Sequence, residues 1–167
     1  MTTAAEPDLY ELDSYAWARE QAGLLRRAAA LRLNVPLDWS NLAEEIDDLA
    51  SARRKAVRSQ IRRLLEHLLK LEHSRSVDPR AGWIETVLDA RDEVGDDLTP
   101  TLRQEVEEEL TQLYRQARRK AEMGLIRHRE QEVARDLPAE CPYGLAEILQ
   151  DEWYPPNRHG RVGPGRD

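Results

Sequence analysis

Residues 41–73 read NLAEEIDDLASARRKAVRSQIRRLLEHLLKLEH. Leu42, Ile46, Leu49, Val57, Ile61, Leu64, Leu68 and Leu71 recur at the three- and four-residue spacing of one helical face. Asp38 or Ser40 stands where an N-cap is wanted. At 1.5 Å per residue this predicts a helix of about 50 Å. A globule of this size has a radius of gyration of only about 15 Å, so the helix must span the domain, bend or project. Arg53 interrupts the apolar stripe and marks its weak point, whereas Leu65 and Leu69 widen it and mark its most buried turn.

Working outward, the other segments carry the same period. Leu (23) and Ala (19) far outnumber Val (8) and Ile (5), so strand formers are too few for a sizeable sheet. A first helix is expected from the cap Asp8 to Leu33. Asp78-Pro79 starts a third, with Ile84, Val87, Leu88, Arg91 and Val94 and a C-cap at Gly95. Thr99-Pro100 starts a fourth through Leu102, Val106, Leu110, Leu113, Ala117 and Ala121, kinked at Gly124 and continuing towards Pro138. A short fifth is expected around Gly144–Gln150. The fold class is all-α: a helical bundle of about four main helices plus a short C-terminal one. Residues 1–155 are expected as a single domain, with 156–167 as a disordered tail because Pro, Gly and Arg dominate there.

Composition removes several functions. No run of about 18 apolar residues offers a membrane span. The opening residues lack the basic-then-apolar pattern of a secretory signal. One Cys excludes an intramolecular disulfide and any multi-Cys metal site, and suits a reducing cytoplasm. A net charge of −7 opposes general affinity for nucleic acid.

Charge is laid out in the same sense on the two longest helices. Glu44, Glu45, Asp47 and Asp48 precede Arg53–Arg63, and Glu105–Glu109 precede Arg115–Lys120. Each helix thereby complements its own dipole. Antiparallel packing of the two would also set acidic half against basic half, and is the expected arrangement.

Candidate sites are few. The acids of residues 44–48 lack the Glu-x-x-His pairs of a di-iron bundle, so a solvated first turn outweighs a metal site, and no metal or cofactor is expected. Glu45, at the stripe's edge, is the best exception. His67 sits on the same border in the most apolar turn. It is either a core histidine bonded to a neighbouring helix or an acid–base group paired with a carboxylate, for which Asp13 is the candidate. His73, His128 and His159 read as exposed. Arg54, Lys55, Arg58 and Arg62 form a basic patch without interleaved aromatics, which suits internal pairing with acids better than nucleic acid.

The order of landmarks is distinctive: Asp8-Leu-Tyr-Glu-Leu-Asp-Ser-Tyr-Ala-Trp17, Leu37-Asp-Trp-Ser-Asn-Leu-Ala-Glu-Glu-Ile46, Leu65-Glu-His-Leu-Leu-Lys70, then Trp83, Arg91, Tyr114 and Cys141-Pro-Tyr143. It resembles the bacterial domain-of-unknown-function family twenty-nine over roughly residues 8–155. The resemblance implies a small all-helical bacterial protein and no assigned activity. Asp13, Trp17, Asn41, Glu44, Glu45, His67, Lys70, Trp83 and Arg91 match its motifs, and form either a polar–aromatic site or a buried network that fixes helix register. The leading functional expectation is a cytoplasmic interaction or adaptor bundle with a protein partner, a second copy included. An enzyme or ligand-binding bundle around His67 comes second. A nucleic-acid factor using the basic patch comes third.

Overall fold

Asp13 divides the first expected helix in two. The computed structural model describes residues 8–31 and 35–161, with α1 at Leu9–Leu12 and α2 at Ser14–Ala30. Between them the Asp13 N–H bonds back to the Leu9 carbonyl (2.8 Å), while its Oδ1 accepts from the Ala16 N–H (2.9 Å). One residue thus closes α1 and caps α2. The expected end at Leu33 lies outside the described residues.

α3 runs unbroken from Trp39 to His73, α4 from Arg80 to Asp97 and α5 from Pro100 to Arg127. Two short helices follow, α6 (Gln131–Arg135) and α7 (Leu145–Leu149). Among the described residues every regular element is helical. Asp38 caps α3, accepting from the Asn41 N–H (3.2 Å) and side-chain amide (2.6 Å). Gly95, expected as a C-cap, lies inside α4. α5 continues through Gly124 to Arg127, and this glycine leaves room for Lys70, whose Cδ would lie 3.3 Å from an added Cβ. α5 stops short of Pro138 because Arg129 takes a left-handed conformation (φ 63°). The carboxylate of the next residue, Glu130, accepts from Ser74 Oγ (2.6 Å) and the Arg75 N–H (2.7 Å).

The chain groups into two compact units. The first comprises Met1–Ala56 and Asp97–Glu105, the second Val57–Asp96 and Val106–Asp167. The division falls in the polar middle of α3, just past Arg53.

The first unit is held largely by polar contacts. Asp13 Oδ2 accepts from the Thr101 N–H (2.6 Å) in the first turn of α5. Glu105 receives Arg54 Nε (2.9 Å), Arg19 (3.4 Å) and the Tyr15 hydroxyl (3.3 Å). Arg53 reaches Ser14 and Asp97, and Arg26 pairs with Asp47 (2.6 Å). Its buried apolar residues are Tyr15, Ala22, Ala43, Ala50 and Leu102. The apolar face of α3 here is therefore rotated from the expected one: Leu42 and Leu49 are exposed and the alanines turn inward.

The second unit carries the true core. Ile61, Leu64, Leu65, Leu68 and Leu69 of α3 are fully buried, as are Val87 and Ala90 of α4 and Leu113, Tyr114, Ala117 and Leu125 of α5. α4 runs back along α3, since Gln60 meets Glu93 and Lys70 lies over Trp83. α5 runs parallel to α3: Arg58 pairs with Glu109 (3.1 Å), Arg62 with Gln116 (2.9 Å) and Ser74 with Glu130. The expected antiparallel pairing is overturned, because α4 reverses the chain between the two helices.

The stretch expected as a disordered tail begins with ordered contacts. Asn157 Nδ2 lies within 2.7–3.1 Å of the carbonyls of Leu71, Glu72 and Ser74, capping the end of α3. Arg158 donates to the Glu72 carboxylate (2.9 Å). Residues 162–167 lie outside the described ones.

Candidate functional site

Three of the nine sequence candidates converge in the second unit. Lys70, one turn from the end of α3, is buried. Its ammonium donates to Glu66 Oε1 (2.7 Å), lies 3.4 Å from His67 Nε2 and sits 5.5 Å from the Trp83 ring centroid. The i, i+3 and i+4 spacings stack Glu66, His67 and Lys70 on one helical face, and α4 brings the indole.

His67 Nδ1 lies 2.9 Å from the Arg63 carbonyl and so donates to it, which turns the Nε2 lone pair towards Lys70. Burial first, and the Lys70 charge second, hold the imidazole below its ordinary pKa. The expected carboxylate partner is absent from it. Asp13 instead spends both oxygens on the Ala16 and Thr101 N–H groups, and these outweigh burial to lower its pKa. The result sets the Lys70 side chain against a half-buried imidazole whose protonation is disfavoured.

His128 stands edge-on to Trp83 at 5.6 Å between centroids. His128 is exposed, and with Ser76, Val77, Asp78 and Pro79 it lines an open cleft of about 460 Å³. Glu66, Gly124 and His128 were missed by sequence reasoning. Glu66 carried a signal, the Glu-to-Lys spacing of four. Gly124 and His128 carried none, since only the parallel course of α5 brings them to α3.

The other candidates have separate duties. Arg91 is buried, and its guanidinium donates to the carbonyls of Ile148 (3.0 Å), Asp151 (2.7 Å) and Trp153 (2.7 Å), pinning the segment after α7. Asn41 closes the capping turn of α3. Trp17 stands edge-on to Tyr10, 4.9 Å between centroids. Glu44 and Glu45 are exposed. In the basic patch, Arg54, Arg58 and Arg62 are engaged by Glu105, Glu109 and Gln116, and Lys55 is exposed.

A second polar centre lies where His73 was expected exposed. His73 and Glu72 are buried. Glu72 accepts from the Tyr143 hydroxyl and Arg158, and His73 Nε2 lies 3.6 Å from it. Burial foremost holds His73 below its ordinary pKa and drives Tyr143 upward. Tyr114 donates to the Pro138 carbonyl (2.6 Å), its pKa pushed up to about 12 by burial. Among the described residues no three His, Cys, Asp or Glu side chains are grouped to hold a metal ion. No helix among them is long and apolar enough to cross a membrane.

Comparison with known proteins agrees with this architecture. No curated protein matches the chain. The crystal structure of an alpha-helical protein of unknown function from Rhodospirillum rubrum ATCC 11170 is similar in fold. It has a TM-score of 0.76 at 24% identity, over 89% of this chain and 93% of that one. The family described as Domain of unknown function DUF29 matches residues 9–154, the span in which the helix caps, the Lys70 centre and the Arg91 clamp all fall, and the chain belongs to that family.

Proposed function

We propose that this is a bacterial cytoplasmic protein–protein interaction or adaptor protein, binding its partner through the first unit. One observation carries the reading. Of thirteen exposed large apolar residues among the described ones, nine belong to the first unit: Leu9, Tyr10, Leu12, Leu24, Leu31, Val35, Leu37, Leu42 and Leu49. Among its described residues that unit buries only two large apolar side chains, Tyr15 and Leu102. A surface that leaves more apolar side chains outside than inside is the composition of an interaction face rather than of a solvated one. The single Cys, Cys141, suits a reducing cytoplasm.

The test replaces Leu24, Leu31, Leu42 and Leu49 together by Gln. Exposed substitutions of this kind leave stability within about 0.5 kcal/mol each. Crosslinking in the native cell should then show partners of the unaltered chain disappearing. An unchanged crosslinking profile would refute the reading.

A second reading, a ligand-binding bundle around His67, is favoured by the convergence of His67, Lys70 and Trp83 behind the His128 cleft. A fragment screen followed through the His67 and His128 ring signals tests it; signals that no fragment shifts would end it.

A further inference from the structure

Two helices of the first unit carry matching rows. Leu24 and Arg27 of α2 and its C-cap residue Leu31 fall at i, i+3 and i+7; on α3, Leu42, Glu45 and Leu49 fall at the same spacing. Each row therefore occupies one face over two turns, leucine at both ends and a charge between. All six residues are exposed, Leu31 at 73% and Leu49 at 62% being the most open. The central charges are opposite in sign, and neither Arg27 nor Glu45 makes an ion pair with another described residue.

The rows do not meet within one chain. The Arg26–Asp47 pair joins α2 to α3, and the buried sides of the two helices are marked by Ala22 on α2 and by Ala43 and Ala50 on α3. At about 100° per residue, the α2 row lies roughly 140–200° around its helix from Ala22. The α3 row lies roughly 80–160° from Ala43 and Ala50 by the same measure.

We propose that the occupant of this surface is a second copy of the chain, the α2 row of one protomer packing on the α3 row of its partner. This rests on the interaction reading above and names its partner. A two-fold axis makes the arrangement self-consistent, because each protomer offers one basic-centred and one acid-centred row, and two copies satisfy both. Parallel pairing aligns leucine with leucine and Arg27 with Glu45. Antiparallel pairing offsets the charges by one residue, about 1.5 Å, which an arginine spans. A row of leucines supplies affinity, and the central pair supplies register and selectivity.

Sedimentation velocity on the full chain, from micromolar to hundreds of micromolar, tests this. A dimer is expected. Arg27→Glu and Glu45→Arg should each weaken it about tenfold, since each change sets two like-charged pairs across the axis. The combined R27E/E45R chain should recover most of the loss, with all three variants melting like the parent. A chain that stays monomeric overturns the proposal, as does a double swap no better than either single. The two readings separate cleanly. A monomer whose four-leucine Gln variant still loses its cellular crosslinks overturns the second copy and leaves the interaction reading standing. A monomer with unchanged crosslinks overturns both.

Discussion

Replacing Asp13 by alanine removes two helix caps with one side chain. Oδ1 serves the Ala16 N–H of α2 at 2.9 Å, and Oδ2 serves the Thr101 N–H of α5 at 2.6 Å. A lost N-cap costs about 1 kcal/mol, and a hydrogen bond to a charged acceptor about 1.5–3 kcal/mol. The two together place the Asp13→Ala loss at about 2–4 kcal/mol. Asp13→Asn should fall between, because one amide oxygen can keep the Ala16 bond while the NH₂ faces the Thr101 donor. Urea unfolding followed by circular dichroism reads the loss, and hydrogen exchange at Ala16 and Thr101 locates it. The pH dependence has a definite sign. Asp13 has a lowered pKa, so its contribution is full above the ordinary carboxylate range, about 3.9, and is lost as pH falls through the folded value. An alanine variant that loses under about 0.5 kcal/mol, or exchange that accelerates at Ala16 but not at Thr101, would refute the double-cap account.

Three further outcomes follow from other contacts. Arg91→Met should cost upwards of about 3 kcal/mol, because it strands three carbonyls that the guanidinium now satisfies, and limited proteolysis should open residues 148–154 first. His67 should titrate below its ordinary value of 6.5 by proton NMR, and Lys70→Met should raise its midpoint by removing a neighbouring charge. Because His67 and His73 both bind protons more readily unfolded than folded, stability should decline as pH falls from about 6.5 towards their folded values; a flat urea midpoint from pH 7 to 5 would contradict this.

Helix existence was legible wherever a cap and a long stripe coincided, as at Asp38 before α3 and Thr99-Pro100 before α5. Breaks were not. Asp13 reads as a candidate partner for His67 inside one long first helix until Thr101, 88 positions away, claims its second oxygen. Arg129 has no turn signature, and its left-handed backbone is set up beside Glu130, whose carboxylate satisfies the Ser74–Ser76 turn. The rotation of the α3 face has the same origin. Leu42 and Leu49 outrank Ala43 and Ala50 in apolarity, yet the smaller side chains are the ones buried. Of the candidate site, Lys70 and His67 were visible as neighbours on one face, and Trp83 only as an isolated ring. Their convergence depends on α4 returning along α3, which no local pattern encodes.

Parallel packing of α3 and α5 also explains how two helices with the same acid-to-base polarity avoid matching like with like. In the first unit Glu105 reaches Arg54, and in the second Glu109 reaches Arg58. Each acid meets a base 51 positions earlier in the chain, so α5 starts level with Leu49 of α3. The acidic start of α5 therefore lies against the basic middle of α3, and its own bases fall level with the apolar turn around Leu64–Leu69. They turn elsewhere: Arg118 donates to the Leu137 carbonyl (3.1 Å) and pairs with Glu122 (2.7 Å). The same offset leaves Glu44, Glu45 and Asp48 with no α5 opposite them. Arg26 engages Asp47, and among the described residues the first three turns of α3 keep exposed Glu44, Glu45 and Asp48 beside exposed Leu42 and Leu49. A chain whose internal charge matching ends there carries both the apolar area and the uncompensated sign that a basic-centred partner row would complement.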